Sequence, residues 1–367
     1  KEFAAPGVTA AELQLKIKMA ADERTRERFA SEIGPWTPVE LSDLPRLRGT
    51  DKVDPNKALD KMLCIGTVTA QGTQTGERAI VQLEVKKTRF ATLDEIGMRA
   101  KMQEQLREVM GREGGIVLFS AIPAGGLRST MNVVLRAADR FVREFVAVED
   151  ESNRYEPVEN VPVTTYKSAD GQSPTAVLGN VFLGEPQVVV VRDLVNAETV
   201  EMIAAETSKP RLILSTVRAK DSIDAIYRVL ALGVPAADFA PALNGVLCQR
   251  LVRKLCETCK EAYAPTPQVL AQLGIPPGRV QVLYRPPQQR ETVCPECGGV
   301  GYVGRTAIFE LLVMDEALRN ALAANPKPDV YRQMAQKAGV RGVQEEGILL
   351  VAKGVTSIQE LMRVLKQ

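Results

Sequence analysis

The residues best spaced for chemistry are four cysteines in two Cys-x-x-Cys pairs, Cys256 with Cys259 and Cys294 with Cys297. A Cys-x-x-Cys turn aims two sulfurs at one point, and two such turns complete a tetrahedral four-thiolate shell around Zn²⁺. The chain contains no histidine, so a site of this kind is all thiolate. Its net negative charge has Arg250, Arg253, Lys254 and Lys260 close by in sequence to offset it. The 34 residues between the pairs exceed the spacing of a compact zinc ribbon. The glycines after Cys297 supply the turns with φ > 0 that a knuckle needs. A structural zinc is expected, closed to water by its four ligands. The alternatives are four free thiols or two disulfides, and the chain shows no sign of export that would suit the latter.

A second candidate is a phosphate cradle. The apolar run Ile116–Phe119 is followed by Ser-Ala-Ile-Pro-Ala-Gly-Gly-Leu-Arg-Ser-Thr and then a helical pattern. Strand, Gly-rich turn and helix N-terminus together form an anion site. With Gly126 at the second glycine of Gly-x-x-x-x-Gly-Lys-[Ser/Thr], Ala121 takes the first glycine, Leu127 the lysine and Arg128 the hydroxyl. Leu127 offers a triphosphate no positive charge, and Arg128 offers Mg²⁺ no oxygen. Gly125, Gly126, Arg128 and Ser129 remain as candidate phosphate contacts; the plain alternative is an ordinary loop.

These groups need elements to hold them. Met62–Ala70 and Ala79–Val85 read as strands joined by a turn over Gln71–Glu77, preceded by a helix over Leu13–Ala30 and a Pro-rich loop over Gly34–Pro45. Beyond them, Ile116–Phe119, Val188–Val191 and Leu212–Leu214 are continuous apolar runs, as strands buried on both faces require. Helical patterns cover Met98–Met110, Met131–Phe141, Ala197–Glu206 and Ser222–Leu232. Strands alternating with helices predict a parallel sheet with crossovers, an α/β core. Helices broken by loops at Asn325–Pro328, Gly339–Gly342 and Gly354–Ser357 are predicted after Met314. The expected organisation is residues 1–88 as a small α+β unit, 89–250 as the α/β core, 251–305 as the knuckle segment and 306–367 as the helical end.

Composition fits a folded intracellular protein: of 367 residues, 25% are charged and 45% apolar. The net charge of +2 gives no bulk reason to bind nucleic acid or anionic lipid. No apolar run reaches membrane-spanning length. The chain begins at Lys1 without methionine, so further residues upstream are expected. Cys64 and Cys248, each flanked by apolar residues, read as buried free thiols.

From Gly76 to Gln367 the chain resembles the ATPase family that powers type II secretion and type IV pilus assembly. GERAIVQLEV with TLDEIGM (Thr92–Met98) resembles the entry to that family's motor domain, and VAVED (Val146–Asp150) its aspartate box. PQVVVVRDLVNAET (Pro186–Thr199) resembles its Walker B segment, and LILSTVRAKDS (Leu212–Ser222) its histidine box. LNGVLCQRLVRKLCETCK, CPECGGVGYVGRTAIFELL and the tail through SIQELMRVL resemble its zinc knuckle and C-terminal helices. The resemblance implies a RecA-like, P-loop-type parallel-sheet core and a tetracysteine zinc site. It also implies a ring, hexameric in active members, working on an inner-membrane platform protein. Such a protein is expected in the cytoplasm, peripheral to the inner membrane.

The departures are as informative. Where the family's Walker B segment reads Val-Gly-Glu-Ile-Arg-Asp, this chain has Arg192 at the glycine, Asp193 at the glutamate, Val195 at the arginine and Asn196 at the aspartate. Arg218 stands at the histidine of the histidine box, and Gly179 and Leu183 stand where two phosphate-sensing arginines are expected. Of the acidic groups, Glu149 and Asp150 persist and Asp193 is a shortened carboxylate. Phosphoryl transfer depends on positioned positive charge and a held Mg²⁺, and losing one such group costs on the order of 10²–10³ in rate. The leading expectation is therefore a catalytically inactive paralogue, a scaffold or regulatory subunit that forms its own ring or joins an active paralogue, without turnover of ATP and Mg²⁺. The alternative is a working ATPase in which Arg128 and Ser129, with Arg218, take over phosphate contacts. A third reading is a zinc-knuckle interaction module whose core has drifted to another role.

Overall fold

A computed structural model of the chain describes the backbone of residues 64–73 and 76–85, and residues 90–366 apart from 277, 289–292 and 325. The helix expected over Leu13–Ala30, the loop over Gly34–Pro45 and the burial of Cys64 lie outside the described residues. Chain contacts fall into two units, Lys1–Arg89 and Phe90–Gln367.

The first unit contains an antiparallel hairpin of β1 (Cys64–Thr73) and β2 (Gly76–Val85). Pairing continues through Gln71↔Arg78 to Thr73↔Gly76. The turn expected over Gln71–Glu77 is therefore mostly strand, because a two-residue connection lets the ladder run to its end.

The second unit is built on a seven-stranded sheet in the order β11-β8-β3-β7-β6-β4-β5. Its strands are β3 (Gly115–Ala121), β4 (Phe145–Asp150), β5 (Val163–Tyr166), β6 (Val188–Val191), β7 (Leu212–Val217), β8 (Leu243–Leu255) and β11 (Tyr302–Val313). Every pairing is parallel except β11 on β8, which is antiparallel. Alternate residues of the central strands feed two separate cores. Ile116, Leu118, Val189, Val191 and Ile213 pack on one face, and Val117, Phe119, Val190, Leu212 and Leu214 on the other. Burial on both faces explains why these strands are apolar without alternation. The fold is thus α/β with a mainly parallel sheet, as expected.

Helix α1 (Ala100–Met110) precedes β3, and α2 (Leu127–Ala137), α3 (Thr175–Leu183), α4 (Ala197–Glu206), α5 (Ser222–Leu230) and α6 (Ala236–Ala242) make the crossovers. Helix α2 starts four residues before the predicted Met131. Gly126, at φ 83°, turns the chain, and Leu127, Met131, Val134 and Leu135 form one apolar stripe that a Gly-rich reading hides. It stops at Ala137, where Ala138 is extended, not at Phe141, which is exposed. Helix α5 ends at Leu230 instead of Leu232, before Gly233 at φ 107°.

A small hairpin of β9 (Glu261–Tyr263) and β10 (Leu283–Arg285), with α7 (Pro267–Gln272) between them, follows β8. Helices α8 (Glu316–Ala323), α9 (Pro328–Lys337), α10 (Val343–Ala352) and α11 (Ile358–Leu365) complete the chain. The last two pack on β8, β10 and β11 through Val252, Leu283, Ile308, Val351, Leu361 and Val364. Buried Glu310 of β11 accepts the backbone N–H groups of Ser222 (2.8 Å) and Val343 (2.9 Å), so one carboxylate caps the starts of α5 and α10.

Candidate functional site

In an open parallel sheet, ligands bind at the carboxyl ends of strands where the strand order reverses. Strand β3 lies between β8 and β7, while its successor β4 lies two strands beyond β7. The carboxyl ends of β3, β7, β6 and β4 lie along one edge of the sheet, and they carry the loop to Gly126, Arg218, Arg192 with Asp193, and Glu149 with Asp150.

The loop has the tight path of a cradle. A Cβ on Gly125 would sit 2.7 Å from the Ile122 carbonyl oxygen, so only glycine fits. Buried Gln249 of β8 donates from Nε2 to the Gly125 carbonyl oxygen at 2.7 Å and fixes the loop from below. Helix α2 then begins with no side-chain cap on its first N–H groups. Arg128 and Ser129 are exposed on its first turn. Arg128 donates to Asn153 Oδ1, and its guanidinium lies 4.9 Å from the centre of the Tyr155 ring.

Opposite the loop, Arg192 dominates. It is 3% exposed and its Nε donates to Glu149 Oε1 at 3.2 Å, while Glu149 is 2% exposed. The other Glu149 oxygen accepts the Tyr155 N–H at 3.0 Å. The Arg192 guanidinium stacks 3.8 Å from the centre of the Tyr155 ring, close enough for a cation–π contact in a dry setting. Its Nη1 is buried with no protein partner. Burial pulls the Arg192 pKa down, against the Glu149 carboxylate that raises it. Burial likewise raises the Tyr155 pKa, helped by the nearby Asp193 charge. The Glu149 carboxylate is thus taken up by an internal cation and a backbone N–H.

The other acids are engaged as well. Asp150 accepts from the Ser168 hydroxyl, which holds its carboxyl below the usual range, and from the Ser152 N–H at 3.1 Å. Asp193 adopts φ 67°, a conformation that a residue with a Cβ rarely takes. Thr216 of β7 compensates: its hydroxyl accepts the Asp193 N–H at 3.0 Å and donates to Asp193 Oδ1 at 3.1 Å. Sequence reasoning missed Tyr155, Thr216 and Gln249. Glu149, Asp150, Arg192 and Asp193 were singled out by position, but the pairing of Arg192 with Glu149 could not be read from spacing.

The second region is the cysteine knuckle, between the end of β8 and the start of β11. The N–H groups of Cys259 and Lys260 both bond to the Cys256 carbonyl oxygen, and Gly298, Gly299 and Gly301 all take φ > 0 around the second turn. All four Sγ atoms of Cys256, Cys259, Cys294 and Cys297 lie within 4.8 Å of one another. The cross-turn separations are 3.9 Å for Cys256 to Cys294 and 3.6 Å for Cys259 to Cys297. Tetrahedral Zn²⁺ with bonds of about 2.3 Å places its sulfurs about 3.8 Å apart. The donor set therefore fits zinc.

The cations expected to offset this cluster are largely committed elsewhere. Arg250 donates to the Lys220 carbonyl oxygen (3.0 and 3.1 Å) and to that of Val364. Arg253 pairs with Glu360. Lys260 pairs with Glu257 at 2.6 Å and lies over the Tyr284 ring. For Arg250 and Arg253, on β8, strand geometry contributes, since successive side chains point to opposite faces. Cys248 is free and buried, as expected, and burial pushes its thiol pKa up.

Residues 67–363 match the family model described as Type II/IV secretion system protein. The chain is 28% identical over 307 residues to the type IV pilus assembly ATPase PilB of Thermus thermophilus, covering 83% of this chain and 33% of that protein. It is 28% identical over 300 residues to type II secretion system protein E of Pseudomonas aeruginosa, covering 82% of this chain and 58% of the relative. The chain thus spans a third to three-fifths of the length of these relatives. Among solved structures, the Yersinia pseudotuberculosis ATPase DotB aligns with a TM-score of 0.54 at 12% identity, covering 83% of this chain and 70% of that one. The pilus retraction motor PilT with bound ADP aligns with a TM-score of 0.52 at 16% identity, covering 84% and 79%. At these identities the structural likeness concerns the fold.

Proposed function

Because this chain belongs to the Type II/IV secretion system protein family, we propose that it serves a secretion or pilus machine as a catalytically inactive scaffold or regulatory subunit. The observation that carries this reading is the buried Arg192–Glu149 pair. In a phosphoryl-transfer site, carboxylates at strand ends hold Mg²⁺ or position the nucleophile, and the cation comes with the nucleotide. Here the cation belongs to the protein. Any ligand that recruited Glu149 would have to expel Arg192 and strip it of the carboxylate it pairs with, at a cost of about 3–5 kcal/mol. Leu127 and Arg128 add no ammonium and no Mg²⁺ oxygen on the loop side.

The subunit would assemble as a ring, its own or one shared with an active paralogue, at the cytoplasmic face of the inner membrane against a platform protein. No helix among the described residues is long and apolar enough to cross a membrane. Zn²⁺ on Cys256, Cys259, Cys294 and Cys297 would be structural, pinning the segment between β8 and β11. The residue boundaries proposed for these roles are 1–88, 89–250, 251–305 and 306–367.

The test is titration calorimetry with ATP and Mg²⁺ beside light scattering. The reading expects no heat of nucleotide binding together with assembly beyond a monomer. Nucleotide binding at micromolar affinity counts against an inactive cleft, and a strictly monomeric chain that ignores paralogues counts against the scaffold role.

A further inference from the structure

We propose that the cysteine knuckle is a peroxide-responsive switch, in which oxidation joins Cys259 to Cys297 across the two turns and releases the zinc. The inference rests on the structural-zinc reading.

The four sulfurs are not equivalent. Cys256 and Cys294 are buried, at 0% and 8% exposure, whereas Cys259 and Cys297 are half-buried. The two accessible sulfurs are also the closer cross-turn pair, at 3.6 Å against 3.9 Å. The backbone beside Cys297 is unshielded: a Cβ on Gly298 would meet nothing within 4 Å. The Gly301 N–H donates to Cys297 Sγ from 3.2 Å, which fixes that sulfur at the turn. Access and the shorter of the two cross-turn separations coincide on one pair, and exposure is a condition for site-selective oxidation.

The step balances with hydrogen peroxide as oxidant. The Cys297 thiolate attacks one peroxide oxygen, the O–O bond breaks, hydroxide leaves and a sulfenic acid forms. The Cys259 thiolate then attacks that sulfur, the S–O bond breaks and a second hydroxide leaves. Each sulfur gives up one electron and peroxide takes two. Two thiolates remain, too few to close a tetrahedral shell, so zinc departs.

The change reaches the last helices. Leu255 N–H donates to the Val355 carbonyl oxygen at 2.9 Å, Lys260 Nζ to that of Gly354 at 3.4 Å, and the Tyr302 and Ser357 hydroxyls meet at 2.7 Å. These bonds tie the knuckle to the turn between α10 and α11, so metal loss loosens the support of both helices.

The experiment titrates hydrogen peroxide into the zinc-loaded full chain. A chromogenic chelator follows the metal, and non-reducing peptide mapping follows the sulfurs. One zinc per chain is expected to leave in step with a Cys259–Cys297 disulfide that precedes any Cys256–Cys294 bond; thiol reductant plus zinc restores the starting state. Two results overturn the switch alone: a first disulfide within either Cys-x-x-Cys turn, or zinc retained at peroxide levels that convert exposed Met362 to its sulfoxide. A chain that carries no zinc and takes up none overturns the zinc reading and the switch together.

Discussion

The cleft at the ends of β4 and β6 and the knuckle beyond β8 both gather anionic side chains, and they neutralise them differently. In the cleft, Glu149 is met by Arg192 from the neighbouring strand, 3.2 Å away and equally buried. In the knuckle, four sulfurs converge within 4.8 Å while Arg250 and Arg253 turn to carbonyl groups and to Glu360. A site that supplies its own counter-ion needs none from solution. Four cysteine sulfurs gathered at one point fit a metal such as zinc. The comparison separates two regions: in one a carboxylate is paired within the protein, and in the other four cysteines form a cluster whose donor set fits zinc.

The sharpest way to break this comparison is at the metal. Cys294→Ser should abolish stoichiometric zinc and lower the melting temperature by 10 °C or more, since structural zinc contributes on the order of 10 kcal/mol of apparent binding energy in small sites. Metal analysis and a thermal melt check it; full zinc content with an unchanged melt would remove the knuckle from the account.

Arg192 offers the next largest effect. Arg192→Ala should cost about 3–5 kcal/mol, because it strands Glu149 in a dry site. Arg192→Met with Glu149→Gln should recover most of that loss. Urea unfolding of the two variants decides it: equal losses would mean that the pair is not the source of the stability.

A smaller effect tests charge burial at the junction between strands and C-terminal helices. Glu360 is fully buried; burial alone would raise its pKa, but the ion pairs with Arg363 and Arg253 pull it to about 2. An unfolded glutamate titrates near ~4.3. The folded value lies below the unfolded one, so the stabilisation is present above about pH 4.3 and is lost as pH falls toward 2. Glu360→Gln should flatten that part of the stability profile by roughly 1–3 kcal/mol, as read from denaturant midpoints between pH 5 and pH 2.5.

What was legible in the sequence follows from the same physics. Strands buried on both faces announce themselves as unbroken apolar runs, so Val188–Val191 matches its strand, while Ile116–Phe119 and Leu212–Leu214 mark only the apolar part of strands that run on over Gly115–Ala121 and Leu212–Val217. The cysteine cluster was legible because Cys-x-x-Cys fixes its own geometry. The start of α2 was not, because Gly125-Gly126 masks a helix that begins at once. The Arg192–Glu149–Tyr155 group was also out of reach. It joins residues from β4, the loop after it and the end of β6, and strand neighbours in a crossover sheet are not neighbours in sequence. Leu127 at the lysine position of the cradle could be read from the sequence; the pairing of Arg192 with Glu149 could be seen only once the strands were side by side.

The central claim is most directly tested by steady-state ATP hydrolysis at saturating Mg²⁺-ATP with zinc-loaded protein. Kinases that perform this chemistry turn over at about 1–100 s⁻¹. The account predicts a rate indistinguishable from buffer, unchanged by Arg128→Ala. Magnesium-dependent turnover that Arg128→Ala abolishes would contradict it and establish the working-ATPase reading in its place.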